Sequence, residues 1–299
     1  MRNNLEEQDV HLRDIKNRQM AMIHETAIID PTATIHDDAV IGPYCVIGPE
    51  VEIGQGTTLQ NHVTVQCLSK IGRNNMFYPF AVIGADPQDK KFDGERTECI
   101  IGDGNEIREH VTIHRGTANG GGVTSLGDDN LIMVGCHIAH DCIIGNSTVI
   151  ANQVMIAGHV VIEDSAGIGG GAGIHHYVTL GESAFVGGMA RVSRDVPPYM
   201  IVEGHPAEVR AVNVVGMSRR GFPSEHVDAM KETFRKLFRD NGSMAESIEA
   251  IRTAYQSMPA IAAVCKAMTD AALGTHGRAR ESIRQDDKWT GSAAVAEQS

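Results

Sequence analysis

The sequence contains few aromatic residues and no segment that would place it in a membrane. Phe, Trp and Tyr make up 4% of the 299 residues, with a single Trp, so the core must be mainly aliphatic. The six cysteines form no CxxC pair. No apolar stretch approaches the roughly 20 residues of a membrane-spanning helix. The first residues lack the apolar segment of a signal peptide, so we expect a reduced, cytoplasmic protein.

Positive charge is also scarce. The chain has 38 acidic and 26 basic side chains, which gives a formal net charge of −12. This balance argues against a nucleic acid or an anionic membrane as the main partner. The length allows one large domain or two modest ones.

A hydrophobic residue occupies every sixth position, in three runs between Ile23 and Val192. A helix repeats every 3.6 residues and a strand every 2, so neither explains this period. Hexad repeats are typical of a parallel β-helix, an all-β solenoid in which short strands turn a corner every six residues. The repeated positions are Ile23, Ile29, Ile35, Ile41, Ile47, Ile53, Leu59, Val65, Ile71, Phe77 and Ile83, then Ile101, Ile107 and Ile113, then Leu126, Ile132, Ile138, Ile144, Ile150, Ile156, Ile162, Ile168, Ile174, Leu180, Val186 and Val192.

Two further regularities accompany the repeat. The residue after the repeated position is often Gly, as at Gly42 and Gly48, which we interpret as a need for unusual backbone angles at the corners. Four residues after the repeated position the side chain is usually small, as at Cys45, Cys136 and Cys142. A narrow triangular core would admit one large and one small inward side chain per face, so these cysteines are expected to be core residues.

The repeat divides the chain into four parts. We predict a mobile N-terminal extension over residues 1–21, a β-helix over 22–202, a C-terminal helical domain over 203–276 and a disordered tail over 277–299. Two excursions interrupt the β-helix, at residues 84–100 and 114–125, and loops on a rigid scaffold commonly carry binding groups.

Helical periodicity replaces the hexads after Pro197-Pro198, since proline cannot donate to a strand ladder. One helix is predicted from Pro223-Ser224 to a stop at Asn241-Gly242. A second is predicted from Ser243 through Tyr255, and a third from about Pro259 to Leu273.

The segment His137-Ile-Ala-His140-Asp141 carries the strongest chemical signal. Ile138 keeps the inward frame, so His140 is expected to point outward with Asp141 beside it. Histidine can take a proton near neutral pH, and a carboxylate neighbour can orient the imidazole. No outward Ser or Cys lies in an obvious nucleophile motif, so His140 is expected to activate a hydroxyl of the substrate for direct attack on an acyl group.

A second catalytic group follows from the length of one coil. His140 plus three hexads is Gly158, whose backbone N–H would lie on the adjacent rung and could stabilise an oxyanion. Alternative interpretations remain open. An isolated outward histidine is often only solvated, and His137, His159 and His175 could bind a metal across a subunit boundary.

Several segments together resemble the UDP-N-acetylglucosamine 3-O-acyltransferase family of lipid A biosynthesis, over about residues 22–275. They are Ile113-His-Arg-Gly-Thr117, His137-Ile-Ala-His-Asp141, Ala157-Gly-His159, Asp195-Val-Pro-Pro-Tyr199 and Arg219-Arg-Gly-Phe222. The resemblance implies a left-handed β-helix and a homotrimer with sites between subunits. It also implies transfer of a 3-hydroxyacyl chain from acyl carrier protein to the 3-hydroxyl of UDP-N-acetylglucosamine. No cofactor and no metal ligand are expected.

The resemblance also suggests a role for individual residues. His140 corresponds to the general base, Asp141 to the residue that orients it, and Gly158 to the oxyanion donor. Gly188 corresponds to the position that measures acyl length, and Gly there implies a chain of about fourteen carbons. The remaining positions correspond to contacts with the sugar, phosphate, acyl chain, nucleotide or carrier protein: Gln88, Asp89, Lys91, His137, His159, His175, His176, Asn213, Arg219 and Arg220.

The sequence departs from the family at three places. His176 stands where Gln is common, His205-Pro206 replaces an Asn-containing turn, and Val215 stands where an acidic residue can occur. Three other functions are considered: an N-acyltransferase of the same pathway, a metal-dependent lyase of carbonic anhydrase type, and a non-enzymatic structural solenoid. The N-acyltransferase usually has a globular domain before its solenoid, and the lyase would require a metal ion.

Overall fold

The fold is described here from a computed structural model, which covers residues 22–274 and 276–283. The predicted mobility of residues 1–21 falls outside this range. The strands are β1 Met22–Ile23, β2 Ile28–Ile29, β3 Thr34–Ile35, β4 Val40–Ile41, β5 Val46–Ile47, β6 Glu52–Ile53, β7 Thr58–Leu59, β8 Thr64–Val65, β9 Ser69–Ile71, β10 Met76–Phe77, β11 Val82–Ala85, β12 Glu98–Ile101, β13 Glu106–Ile107, β14 Thr112–His114, β15 Val123–Leu126, β16 Leu131–Ile132, β17 His137–Ile138, β18 Ile143–Ile144, β19 Val149–Ile150, β20 Met155–Ile156, β21 Val161–Ile162, β22 Gly167–Ile168, β23 Gly173–Ile174, β24 Thr179–Leu180, β25 Phe185–Val186, β26 Arg191–Val192, β27 Met200–Gly204 and β28 Ala207–Val212.

Three parallel sheets form the walls of a left-handed β-helix, which confirms the predicted fold class. Up to β26, every third strand belongs to the same sheet. The first sheet has 11 strands and begins with β1 and β4, the second has 9 and begins with β2 and β5, and the third has 8 and includes β3 and β6. Uninterrupted coils are in register with an offset of 18 residues, so that Val40 pairs with Thr58. The repeated hydrophobic residues from Ile41 onward are buried in the interior, whereas Ile23 at the N-terminal end of the β-helix is 45% exposed.

The glycines that follow the repeated positions have a different role from the one predicted. Most of the residues with positive φ in the coils lie three positions after the repeat, and many are not glycine, for example Tyr44 and Glu50; Gly84 is an exception that directly follows a repeated position. Gly42 is required for a close approach instead, because a Cβ there would collide with the carbonyl oxygen of Gln60 in the next coil. Most of these glycines therefore let neighbouring coils stack closely.

Polar side chains occupy some of the positions predicted to be small and apolar. Asn75, Asn105 and Asn130 are buried above one another at the corner between the third and first sheets. The Asn105 side-chain amide donates to Asn75 Oδ1, and the Asn130 amide donates to Asn105 Oδ1, each at 2.9 Å. Thr148 continues the ladder by donating to Asn130 Oδ1 at 2.6 Å. Because each amide pairs with the next coil, these buried polar groups are satisfied.

The two excursions are shorter than predicted, since β12 pairs with β9 and β15 over additional residues. The first loop comprises residues 86–97 and the second comprises residues 115–122. Arg115 joins them: its guanidinium lies 2.7 Å from Asp86 Oδ1 and rests over the ring of Phe92 at 5.1 Å.

The C-terminal region begins with a hairpin that sequence analysis did not anticipate. β27 extends the first sheet in parallel and β28 returns antiparallel to it. The helices that follow are α1 Val214–Arg219, α2 Ser224–Phe238, α3 Met244–Ala254 and α4 Pro259–Leu273. The three longer helices confirm the predicted ones, while α1 was missed. No helix in the described part of the chain has the length and apolarity needed to cross a membrane.

Disorder was predicted for residues 277–299. Within this range Gly277–Ile283 form a 3-10 helix against the β-helix, and residues 284–299 lie outside the described residues. Asp195 accepts the backbone N–H of Arg278 at 2.8 Å. The Arg280 guanidinium donates to the carbonyl oxygen of His159 at 3.0 Å, and Glu281 lies 2.7 Å from His176 Nε2. These polar contacts hold the segment at one corner of the solenoid, which hydrophobic periodicity does not reveal.

Candidate active site

Six of the fourteen predicted site residues lie on three consecutive coils along one edge of the prism. Strands β17, β20 and β23 of the second sheet each end at the corner that leads to the third sheet. We call these corners, residues 139–142, 157–160 and 175–178, the histidine edge. They hold the following residues on consecutive coils: His140, Asp141, Gly158, His159, His175, His176 and Tyr177.

His140 and Asp141 form a hydrogen-bonded pair at the first of these corners. His140 Nδ1 lies 2.7 Å from Asp141 Oδ2, and the Asp141 side chain is 0% exposed. Asp141 has a φ of 60°, which turns its carboxylate beneath the second excursion loop rather than outward. A carboxylate only accepts hydrogen bonds, so Nδ1 carries the hydrogen and Nε2 presents its lone pair. This tautomer is suited to accept a proton from a substrate.

Gly158 lies directly against the His140 ring. A Cβ built on Gly158 would be 2.7 Å from His140 Cε1 and 2.8 Å from Nε2. The backbone N–H of His159 donates to the carbonyl oxygen of His140 at 3.0 Å, which fixes the separation of the two corners. A bare stretch of backbone therefore faces the imidazole, as the coil length predicted.

Other histidines surround this pair. The rings of His140 and His159 meet edge to face at 5.1 Å, and His159 stacks on Tyr177 at 4.4 Å. His159 Nδ1 also lies 3.8 Å from Asp141 Oδ2. On the second sheet, His137 Nδ1 lies 2.7 Å from Thr112 Oγ1, and its ring meets that of the buried His114 edge to face at 4.8 Å. Burial lowers the pKa of His137.

His114 is the most strongly perturbed member of this group. Burial lowers its pKa to about 4, and its neighbours His137 and His140 add to the effect. His114 is therefore neutral near pH 7.

The remaining predicted residues lie elsewhere on the protomer. Gln88, Asp89 and Lys91 lie in the first excursion loop, where Asp89 Oδ1 accepts the backbone N–H of Lys91 at 3.0 Å. That loop follows β11 of the second sheet, at the same edge as His140 but two coils before it.

Gly188 lies at a different edge, where the first sheet leads to the second. Asn213, Arg219 and Arg220 lie at the third edge. The Asn213 amide donates to the carbonyl oxygen of Ser183 at 2.9 Å, and Arg220 pairs with Glu182. One protomer thus distributes the predicted site residues over all three edges.

Two clusters in the described residues have donor sets that could hold a metal ion. One is His140, Asp141 and His159, and the other is His175, His176 and Glu281. The sequence-based alternative of His137, His159 and His175 forms no such cluster within the described part of one protomer. In the first cluster Asp141 is already engaged by His140 Nδ1 and by Thr117, so metal binding would require these hydrogen bonds to break.

Sequence analysis missed the loop and tail residues that contact the histidine edge. Thr117, in the second excursion loop, donates to Asp141 through its backbone N–H at 2.8 Å and its hydroxyl at 2.7 Å. Arg280 and Glu281 approach from the C-terminal segment. Thr117 belongs to the Ile113-His-Arg-Gly-Thr117 segment that supports the family resemblance. The hexad repeat is interrupted after Ile113, however, so it does not predict where the Thr117 side chain lies.

Comparisons with known proteins agree with this geometry. Residues 124–158 match the family profile described as bacterial transferase hexapeptide (six repeats), and residues 23–118 match that of the GMPPB C-terminal domain. Residues 195–276 match the profile described as UDP N-acetylglucosamine O-acyltransferase, domain 2. Fold and site together define an acyltransferase of the hexapeptide-repeat class.

Solved structures identify the family. The UDP-N-acetylglucosamine O-acyltransferase from Moraxella catarrhalis is 40% identical with a TM-score of 0.81, over 84% of this chain and 97% of its own. The enzyme from Francisella novicida is 40% identical with a TM-score of 0.80, over 82% and 90%. The Arabidopsis enzyme is 34% identical with a TM-score of 0.76, over 85% and 98%. The chain belongs to the UDP-N-acetylglucosamine O-acyltransferase family.

Proposed function

We propose that the protein transfers a 3-hydroxyacyl chain from acyl carrier protein to the 3-hydroxyl of UDP-N-acetylglucosamine, the first step of lipid A biosynthesis. The observation that carries this proposal is the His140–Asp141 pair, 2.7 Å apart, with the backbone of Gly158 against the imidazole ring. Relatives described as UDP-N-acetylglucosamine acyltransferases support the choice of acceptor. The six cysteines, all free thiols, suit a reaction in the cytoplasm.

The chemistry follows from the positions of these groups. His140 Nε2 removes the proton from the sugar hydroxyl as its oxygen attacks the thioester carbonyl carbon. The N–H of Gly158 donates to the oxyanion of the tetrahedral intermediate. When the C–S bond breaks, the imidazolium returns the proton to the thiolate of the carrier protein's prosthetic arm. Asp141 stabilises the imidazolium between these two transfers.

Direct attack is favoured over a covalent enzyme intermediate. The thiol nearest in sequence to His140 is Cys142, which is fully buried, and burial raises its pKa to about 12. A thiol of that pKa supplies almost no thiolate near pH 7. The acyl group would therefore pass straight from thioester to sugar.

The other predicted residues would bind the two substrates. In this proposal the first excursion loop contacts the sugar and phosphates, through Gln88, Asp89 and Lys91. His137, His159, His175 and His176 line the acyl and nucleotide pockets. Gly188 leaves room for about fourteen carbons, and Asn213, Arg219 and Arg220 meet the nucleotide or the acidic carrier protein.

These residues could meet only in an assembly. Because His140, Gly188 and Arg219 lie at different edges of one prism, a complete site requires edges of different protomers to approach each other. Exposed apolar side chains on the solenoid support such contacts, among them Met155 at 58% exposure and Ile143 at 54%. We therefore include a homotrimer in the proposal, with cyclic symmetry that repeats the same interface.

The alternative functions are less well supported. The C-terminal match to an O-acyltransferase profile favours the O-acyl over the N-acyl reaction. A metal-dependent lyase that used the His140, Asp141 and His159 cluster would compete with the hydrogen bond that already joins His140 Nδ1 to Asp141. Metal analysis of the purified protein distinguishes the lyase, which requires stoichiometric zinc and loses activity with a chelator. A purely structural solenoid predicts no turnover at all.

The proposed function is tested by mass spectrometry of products. Purified protein is incubated with UDP-N-acetylglucosamine and a panel of carrier-protein thioesters of varied length, with and without a 3-hydroxyl. An O-acylated product with the 3-hydroxy C14 donor preferred is expected. An N-linked product, or no acyl transfer to this sugar nucleotide, would contradict the proposal.

A further inference from the structure

Thr117 is tied to the catalytic pair by two hydrogen bonds at one carboxylate. Its backbone N–H donates to Asp141 Oδ1 at 2.8 Å, and its hydroxyl donates to Oδ2 at 2.7 Å. His140 Nδ1 shares Oδ2 at 2.7 Å. Both oxygens are thus engaged, and Asp141 is held at fixed distances from the loop and from the imidazole.

The direction of the Thr117 hydroxyl is determined by its other partner. The backbone N–H of Gly120 donates to Thr117 Oγ1 at 3.1 Å. An oxygen that accepts from Gly120 is left with its own hydrogen to donate, and the carboxylate is the acceptor within reach. The Gly120 N–H therefore donates to Thr117, and the Thr117 hydroxyl donates to Asp141. The Asp141 carboxylate also accepts the Nδ1–H of His140.

The loop leaves the carboxylate little freedom to move. Thr117 is buried, and a side chain at Gly120 would collide with the Asp141 carboxylate. The backbone N–H of Asp141 donates to Thr124 Oγ1 at 2.7 Å, so strand β15, which follows the loop, also holds its main chain. The backbone N–H of Ala118 donates to Glu95 at 3.2 Å, which connects this loop with the first excursion.

We propose that Thr117 is a positioning residue, which holds the Asp141 carboxylate so that His140 keeps the tautomer and orientation of a base. This inference rests on the proposed acyl transfer. Without the hydroxyl, one bond to Oδ2 is lost and the carboxylate can rotate away from Nδ1, while the substrate-binding surfaces are unchanged. The loss should therefore affect the chemical step and leave binding intact.

The test compares Thr117→Val with Thr117→Ser in steady-state acyl transfer. A hydrogen bond to a charged group of this kind corresponds to about a 10- to 100-fold effect. Thr117→Val is expected to lower kcat by that factor with KM for both substrates within about twofold of wild type. Thr117→Ser retains the hydroxyl and should restore most of kcat. Thr117→Ala also removes the hydroxyl but adds no bulk, so it controls for any disturbance of the loop by valine. Its kcat should fall by the same factor.

A matched control is Thr148→Val, which removes another buried hydroxyl, the one that donates to Asn130 at 2.6 Å. It should lower the melting temperature and leave kcat unchanged. A kcat near wild type in Thr117→Val and Thr117→Ala, or a serine variant as slow as the valine variant, overturns the inference. An inactive wild-type protein would instead count against the proposed function.

Discussion

The imidazole of His140 and the carboxylate of Asp141 are joined at 2.7 Å, and the carboxylate has no exposed surface. Adjacent residues reach this arrangement because Asp141 takes a left-handed backbone conformation, with φ at 60°. A dyad from consecutive residues thus follows from the corner geometry of the β-helix.

The first prediction concerns the base itself. His140→Ala should reduce kcat by at least about 100-fold, since general base catalysis contributes about 10²–10⁴. The fold and the proposed homotrimer should remain intact, because the side chain lies outside the hydrophobic interior. His36→Ala, at an exposed histidine near the N-terminal end, is the control and should retain full activity. Near-normal turnover in His140→Ala would contradict the mechanism.

Gly158 should not tolerate a side chain. In Gly158→Ala the new Cβ would press on His140 Cε1 from 2.7 Å and displace the ring or the backbone donor. We expect kcat to fall about 100-fold, the scale of one lost oxyanion donor. Gly173→Ala is the control, because its Cβ would meet only Met155 Cε at 4.0 Å. Similar kinetics for the two variants would refute a special role for Gly158.

Gly188 is predicted to set the length of the acyl chain. Gly188→Met should shift the preferred donor from about C14 to a shorter chain, because the new side chain fills the end of the slot. Each CH₂ group that is no longer buried loses about 0.8 kcal/mol of binding free energy, so kcat/KM for the long donor should fall several-fold per carbon. Ratios of kcat/KM across the thioester panel measure the shift. An unchanged preference for the long donor would exclude Gly188 as the measuring position.

His114 should make stability depend on pH. Its folded pKa, lowered to about 4 by burial, lies below an unfolded value of about 6.5, so the unfolded chain binds the proton first on acidification. Stability should therefore fall as pH drops from about 6.5 to about 4, by up to about 3 kcal/mol. Unfolding midpoints in urea at pH 7.5 and pH 5 should differ less in His114→Gln than in wild type. An equal difference would exclude this contribution.

The fifth prediction tests whether the site is shared between protomers. His140→Ala and Arg219→Glu should each be poorly active alone, since both damage every site. Co-expressed subunits should assemble at random, so that about a quarter of shared sites receive both intact residues. Activity should then reappear in the mixed protein. Its absence, with mixed oligomers present by mass spectrometry, would place both residues in one protomer's site.

The sequence was sufficient for the solenoid because each coil contacts only its neighbours. A period of six therefore maps directly onto three dimensions, and three hexads place Gly158 against His140. The sequence did not reveal why glycine follows so many of the repeated positions. A repeat marks where Gly42 occurs but does not distinguish close stacking of coils from a positive φ.

Features outside the repeat could not be predicted in this way. Thr117 reaches Asp141 through a loop whose course depends on the Arg115–Asp86 pair and on Glu95. The Gly277–Ile283 segment is polar, and its place depends on single contacts such as Arg278 with Asp195. Such interactions have no period, so composition suggested disorder instead.

The 18-residue offset between uninterrupted coils has a consequence for how this enzyme can change in length. A deletion or insertion of one whole turn near the N-terminal end preserves every later inward position and moves the corner that holds His140 as a rigid unit. A change of one residue between Ile138 and Ile156 would instead break the register that pairs these two residues, unless a loop absorbed it as the two excursions do. The length of the rod and the spacing of the residues at the histidine edge are thus separate properties of the same repeat.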